Sequence, residues 1–264
     1  MNSPIAWAAA GTGFTFFMTA MGAATVFFFR KSVSTTIQRI FLGFAAGVMI
    51  AASVWSLLIP AMDAAAEAGD IAWIPAAGGF LMGVLFLMLM DRLLPHLHPG
   101  STQTEGVASS WKRTTLLVLA VTLHNIPEGM AVGLSFALAA QHTADATMYT
   151  SALALAIGIG IQNFPEGAAI SLPLRQEGLQ PARAFLYGGL SGVVEPIFGV
   201  LVVLVAGSIQ PIMPWLLSFA AGSMMYVVIE ELVPEAHLGE HTHAGTLGVM
   251  GGFVIMMILD VALG

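Results

Sequence analysis

The chain has 264 residues, of which 57% are hydrophobic and 9% charged, and its mean hydropathy is +0.87. Soluble domains carry about 25% charged residues, so this composition predicts an integral membrane protein embedded in a lipid bilayer. The formal charge of −7 argues against nucleic acid as a partner. The absence of cysteine excludes disulfides, thiolate metal sites and a thiol nucleophile.

The apolar segments of the chain predict an all-α protein with eight transmembrane helices, because each span needs about 20 apolar residues. The helices are expected at roughly 5–29, 40–62, 71–94, 114–140, 147–174, 183–208, 211–236 and 244–264. With short connections these helices fill the chain, so residues 1–264 are expected to form a single transmembrane domain. The first residues, Met1 to Trp7, lack a basic region, so no cleaved signal peptide is expected.

The basic residues predict the orientation in the membrane. In an eight-helix arrangement all 8 of them lie on one side: Arg30, Lys31, Arg39, Arg92, Lys112, Arg113, Arg175 and Arg183. The positive-inside rule makes that side cytoplasmic, so both termini are expected outside, in a cell (inner) membrane. One helix more or fewer near the start of the chain would scatter these residues over both sides. The charge pattern therefore supports the helix count.

Two related motifs lie deep inside apolar segments, 38 positions apart: His124-Asn125-Ile126-Pro127-Glu128-Gly129 and Gln162-Asn163-Phe164-Pro165-Glu166-Gly167. Residues three or four apart share a helix face, so each motif places a carboxylate beside an amide or imidazole group. Each proline also lacks the N–H that would bind the carbonyl four residues earlier, which predicts a kink or break. The pattern predicts a cation site at mid-membrane.

Carboxylates at this depth require an explanation. Glu128, Glu166 and Glu195 fall within apolar segments, and Glu230 and Glu231 lie in the seventh segment. Each ionised group at the bilayer centre costs about 2.5–3.5 kcal/mol, and no lysine or arginine lies deep in a span to neutralise it. One alternative is that these glutamates are protonated packing residues. The matching amides beside Glu128 and Glu166 favour a bound and moving cation instead.

The type of ligand indicates which cation is bound. Imidazole, amide oxygen and carboxylate without thiolate suit Zn²⁺, Mn²⁺ or Fe²⁺. A cage of oxygens alone would have indicated Ca²⁺ or Mg²⁺, which His124 disfavours. The paired carboxylates of Glu128 and Glu166 could bridge two metals.

The paired motifs resemble the signatures of the ZIP (Zrt-, Irt-like protein) metal transporters, in particular the bacterial GufA-type branch. The resemblance extends along the chain through Gly47-Val48-Met49, Leu57-Leu58-Ile59-Pro60, Glu195-Pro196, Ala221-Gly222-Ser223-Met224 and Glu231-Leu232-Val233-Pro234-Glu235. It implies an eight-helix ZIP-type bundle with an inverted repeat, a homodimer, and no organic cofactor. It also implies import of divalent metal, zinc above all but also Cd²⁺, Mn²⁺ or Fe²⁺, by alternating access with an elevator-like movement.

The resemblance further implies a two-metal centre between the fourth, fifth and sixth helices. One metal would be held by His124, Glu128, Gln162 and Glu166, with Met49 nearby. The second would be held by Asn125, Glu128, Asn163, Glu166 and Glu195. Two positions depart from the family pattern: relatives often have His near Ser56, and some have Asp where this chain has Asn163.

Several residues stay outside the predicted site. Asp91 and Asp260 stand near the ends of their segments and are expected to be solvated carboxylates. Five histidines, His96, His98, His237, His241 and His243, fall in connections on the cytoplasmic side. They are either ordinary loop residues or a weak metal-handling surface where the ion leaves.

Two other classes of function compete with transport. An intramembrane metal-dependent hydrolase would also use His and Glu four residues apart, with the metal activating water. The chain lacks the HExxH motif, and its duplicated half-sites favour transport over one-sided catalysis. A proton conductor or scaffold would have no use for the amides of Asn125, Gln162 and Asn163.

Overall fold

A computed structural model describes residues 4–28, 34–93, 113–142, 146–176, 178–208, 210–237 and 243–263. Within these ranges the chain forms eight long helices and no strand: α1 (Pro4–Phe27), α2 (Thr35–Glu67), α3 (Trp73–Leu93), α4 (Arg113–Gln141), α5 (Ala146–Gln176), α6 (Pro181–Ala206), α7 (Met213–His237) and α8 (Ala244–Leu263). Of these described helices, 7 are long and apolar enough to cross a membrane. The remaining helix, α4, has 29 residues, a length of about 44 Å that is also sufficient. The predicted all-α membrane protein is confirmed.

The helix ends follow local chemistry that hydropathy does not detect. Helix α2 begins several residues before the predicted residue 40 and ends several residues after the predicted residue 62. At its start the Ser34 side chain accepts a hydrogen bond from the Ile37 backbone N–H at 3.4 Å, which caps the helix. Just past its end Gly69 adopts a φ of +81°, which a glycine tolerates without steric cost.

The irregular backbone does not lie at the predicted prolines. Both Pro127 and Pro165 lie inside helices that continue through them, so a break of the helix at these prolines is wrong, whereas a kink there stays a prediction. The widened π-turns occur instead at Ser53–Leu58 in α2 and Val228–Leu232 in α7. Each of these turns comes just before a proline of its own, and the wider turn makes room for the proline ring.

The helices pack in pairs whose pattern is that of an inverted repeat. Helix α2 lies along α8, α3 along α7, α1 along α5, and α4 along α6. Exchanging α1–α3 for α6–α8, and α4 for α5, converts each of these pairs into another pair of the set. The closest approaches use glycines: a Cβ on Gly47 of α2 would overlap a carbonyl of α8, and one on Gly167 of α5 would overlap a carbonyl of α1.

This pairing divides the bundle into two groups of helices, which we call the 1-4-5-6 group and the 2-3-7-8 group. The groups meet where α5 contacts α2 and α8, and where α4 contacts α7. On one half of this contact surface both groups contribute fully buried side chains to one apolar cluster, among them Leu57, Leu134, Leu155 and Leu217. This half of the molecule is therefore packed shut.

The other half carries the basic residues. Arg39 stands near the start of α2, Arg92 near the end of α3, Arg175 near the end of α5, and Arg183 near the start of α6. Because successive helices cross in opposite directions, these four side chains lie at one end of the bundle, which we call the basic end. Helices α2 and α4 finish at the opposite end, where Glu67 and His142 are found.

Candidate metal centre

A cavity of about 80 Å³ opens between the two helix groups. Five of the predicted site residues line it: Met49, His124, Glu128, Gln162 and Glu166. The lining continues to Gln38, in the first turns of α2, and to Glu235, near the end of α7, so the cavity runs toward the basic end. A buried water needs roughly 10–15 Å³ of such volume, so the cavity has room for several waters or a partly hydrated cation.

The other three predicted residues are completely buried beside the cavity and do not line it: Asn125, Asn163 and Glu195. The Asn163 side chain donates to Oε2 of Glu195 at 3.0 Å, and the Thr19 hydroxyl donates to Oε1 of the same carboxylate at 3.3 Å. Glu195 is thus held by donors from both α5 and α1. The role of Thr19 was missed because nothing in its spacing relates it to the motifs.

A chain of side-chain hydrogen bonds connects the cavity to this buried carboxylate. The Gln162 amide nitrogen donates to Oε1 of Glu128 at 2.8 Å and to Oδ1 of Asn163 at 2.5 Å. The amide of Asn163 then continues to Glu195. Because an amide can turn over and exchange its oxygen for its nitrogen, Gln162 can present either a donor to Glu128 or an oxygen ligand to a cation.

Two carboxylates at the cavity each have a buried oxygen without a hydrogen-bond partner in the part of the chain that the structure describes. Glu128 is only 1% exposed, and its Oε2 has no hydrogen-bond partner within the described residues. The same holds for Oε1 of Glu166. No lysine or arginine is among the described residues that line the cavity. Buried carboxylate oxygens left in this state are stabilised by a cation.

His124 contacts a carboxylate that the sequence analysis did not place in the site. Its Nε2 lies against Oε1 of Glu231, which is 4% exposed and belongs to the π-turn of α7. The contact joins the 1-4-5-6 group to the 2-3-7-8 group. Glu231 could have been found, since it was recognised both as an intramembrane carboxylate and as part of a family motif.

Within the described residues, no three His, Asp or Glu side chains already converge on one point at metal-binding distance. Internal contacts account for this, because the Gln162 amide donates to Oε1 of Glu128 and Glu231 contacts the imidazole nitrogen of His124. Releasing these two contacts would free an imidazole nitrogen and carboxylate oxygens that face the same cavity. The arrangement can therefore accept a cation by exchanging internal partners for it.

Two predictions about residues outside the site have different outcomes. Asp260 is only 8% exposed and accepts a hydrogen bond from Ser56 at 2.6 Å, so the expectation that it is solvated is wrong. The π-turn of α2 brings Ser56 against α8, and this contact covers the Asp260 carboxylate. Asp91 is partly exposed and accepts a hydrogen bond from the Tyr226 hydroxyl at 2.5 Å.

The histidine surface stays a prediction. His96, His98 and His241 lie outside the described residues. His237 makes local contacts, with Nδ1 at 2.9 Å from the Val233 carbonyl and Nε2 at 3.1 Å from the Thr246 hydroxyl. His243 directly precedes α8.

Eight helices around a central cavity with imidazole, amide and carboxylate groups define a multi-pass membrane protein of the metal-transporter class. Comparison with known sequences identifies the family, because the family described as ZIP Zinc transporter matches residues 101–260. The chain belongs to this family and is a transporter of metal rather than an enzyme. The hydrolase alternative finds no support.

Individual relatives match over most of their length. Zinc transporter ZIP11 of Homo sapiens is 40% identical, with 100% of this chain and 99% of the relative covered. Zinc transporter GufA of Myxococcus xanthus is 40% identical over 80% of this chain and 81% of the relative. Zinc transporter ZIPB of Bordetella bronchiseptica is 39% identical over 98% and 82%, respectively. The resemblance to the GufA-type branch is thereby confirmed.

Proposed function

We propose that this protein imports zinc into the cytoplasm through the cavity between its two helix groups, with Cd²⁺, Mn²⁺ and Fe²⁺ as further candidate substrates. The observation that carries the proposal is the pair of carboxylates, Glu128 and Glu166, each of which has one buried oxygen without a hydrogen-bond partner within the described residues. The zinc transporters among its relatives support the choice of metal.

The first metal position consists of groups that already face the cavity. His124 supplies an imidazole nitrogen, Glu128 and Glu166 supply carboxylate oxygens, and Gln162 turns its amide to supply an oxygen. Met49, completely buried on α2, contributes a polarisable thioether at the edge. Such a mixed set of nitrogen and oxygen ligands suits zinc.

The second position, formed by Asn125, Asn163 and Glu195 together with the two shared carboxylates, is the weaker one. Asn163 carries no charge and spends a donor on Glu195. Glu195 is further occupied by Thr19. We propose that the first position fills before the second.

The direction of transport follows from the basic end. By the positive-inside rule this end faces the cytoplasm, and the membrane is a cell (inner) membrane. Both termini are then outside. The cavity runs toward that end, so the conformation described here is inward-facing. A homodimer, as implied by the family resemblance, remains part of the proposal.

The division of the site between the groups supports alternating access. His124, Glu128, Gln162 and Glu166 belong to the 1-4-5-6 group, whereas Met49 and Glu231 belong to the 2-3-7-8 group. An elevator-like sliding of the first group would carry the ligands past the second. His124 would then leave Glu231 when it binds zinc and return to Glu231 after the zinc has been released.

Replacing His124 with alanine tests the first position. We expect zinc affinity to fall by about tenfold or more, since the replacement removes the nitrogen ligand of the first position. Isothermal titration of purified protein with Zn²⁺ measures the change. As a control, His237→Ala removes an exposed histidine outside the cavity and should leave affinity unchanged. Equal affinity in wild type and His124→Ala would contradict the assignment.

Replacing Asn163 with aspartate tests the second position. The added carboxylate would stand beside Glu195, where two negative charges need a cation to neutralise them. We expect bound zinc to rise from about one to about two ions per chain under conditions that saturate the first position only, as measured by elemental analysis after equilibrium dialysis. A stoichiometry unchanged by the substitution would show that this position holds no metal.

A further inference from the structure

An ion pair bridges the two helix groups at the end opposite the cavity. His142 follows the last residue of α4, in the 1-4-5-6 group, and Glu67 is the last residue of α2, in the 2-3-7-8 group. Nε2 of the histidine lies 3.1 Å from Oε2 of the glutamate. The side chains are 30% and 63% exposed, so the contact is open to the solvent on that side of the membrane.

The contacts of His142 require a particular protonation state. Its Nδ1 lies 3.1 Å from the carbonyl oxygen of Leu138, and its Nε2 faces the Glu67 carboxylate. Both partners are acceptors. A neutral imidazole has one donor and one acceptor, so only the imidazolium ion donates to both at once. Histidine changes charge between about pH 5 and 8, so the bridge is complete only on the acidic side of this range.

Among the described residues, the other titratable side chains near this end are Asp63, Asp70, Tyr149 and Asp260. Asp260 accepts a hydrogen bond from Ser56. Among the described residues, no lysine or arginine stands at this end, since the described arginines lie at the basic end.

We propose that His142 and Glu67 form a proton-dependent latch that holds the two helix groups in the inward-facing conformation. The latch spans the half of the molecule that is packed shut, so any movement that opens this half must break it. Protons outside the membrane strengthen the latch, and neutral or alkaline solution releases it. The proposal rests on the proposed alternating access, because a latch has meaning only if the groups move.

The test measures the conformation rather than transport. Because the chain has no cysteine, Ala169→Cys places a single thiol in the lining of the cavity. Its rate of reaction with a charged maleimide in lipid nanodiscs reports the inward-facing population. The same rate is measured in Ala169→Cys combined with Glu67→Gln, and the ratio of the two rates cancels the pH dependence of the thiol itself.

We expect the latched protein to react about two- to fourfold faster than the Glu67→Gln variant at pH 5.5, as suits a partly exposed ion pair, and equally fast at pH 8. His142→Gln should match Glu67→Gln at both pH values. His142→Lys, which stays charged, should keep the ratio high at pH 8. Equal rates in all variants at pH 5.5 would overturn the latch.

The outcome separates the latch from the proposed function. Zinc influx is measured on the wild-type protein in the same preparation, without the cysteine. A pH-dependent ratio without zinc influx would support the latch and reject zinc import. Influx with equal rates in every variant would support zinc import and reject the latch.

Discussion

Replacing Glu128 with glutamine should abolish zinc uptake while making the metal-free protein more stable. Glu128 is 1% exposed and is shared by both proposed metal positions. Its removal should lower zinc uptake by more than about tenfold, since mutating residues that only support the metal ligands already lowers metal affinity or activity by about tenfold or more. In chelator at pH 8, removal of a buried charge that no lysine or arginine neutralises should raise the melting temperature by about 2–4 °C.

The matched control is Glu230→Gln, which likewise replaces a carboxylate with an amide but at an exposed position of α7. We expect it to leave both uptake and melting temperature close to those of the wild type. Uptake into proteoliposomes and thermal unfolding in detergent supply the two measurements. A Glu128→Gln variant that loses both uptake and stability would indicate a structural role for this carboxylate, against our account.

Filling the contact between the helix groups should slow transport strongly without removing the metal site. Gly158 of α5 faces α8, where an added Cβ would overlap the sulfur of Met256 and lie 3.7 Å from Val48. Both neighbours belong to the 2-3-7-8 group, and Met256 is completely buried. Overpacking costs about 1–3 kcal/mol, so Gly158→Leu should slow uptake by roughly tenfold or more if this surface slides.

The same substitution at Gly13 is the control, because nothing lies within 4 Å of a Cβ at that position of α1. Gly13→Leu should transport zinc at the wild-type rate. Zinc binding, measured by the shift in melting temperature on adding Zn²⁺, should be retained in both variants. Wild-type uptake by Gly158→Leu would contradict a sliding contact at this surface.

The sequence predicted the helices well because their signal is local. Runs of apolar residues mark the spans, and the pattern of basic residues supported the number of helices. The ends of α2 differ from the prediction because Ser34 and Gly69 act through capping and turn geometry, which hydropathy does not measure. The helix breaks predicted at Pro127 and Pro165 do not occur, because the rule for an isolated helix ignores how packed neighbouring helices support the backbone around a proline.

The candidate site was only partly visible in the sequence. The spacing of four residues correctly placed His124 and Glu128 together on the cavity, as it did Gln162 and Glu166. Met49 was named only through the family resemblance. The contact of His124 with Glu231 joins α4 to α7, and periodicity within one helix carries no information about which helices meet.

The measurement that tests the central claim most directly is zinc influx into proteoliposomes that contain the wild-type protein. Our account predicts uptake that saturates with external Zn²⁺ and disappears when Glu128 is replaced with glutamine. Protein that binds Zn²⁺, Mn²⁺ or Fe²⁺ yet carries none of them across the membrane would contradict it.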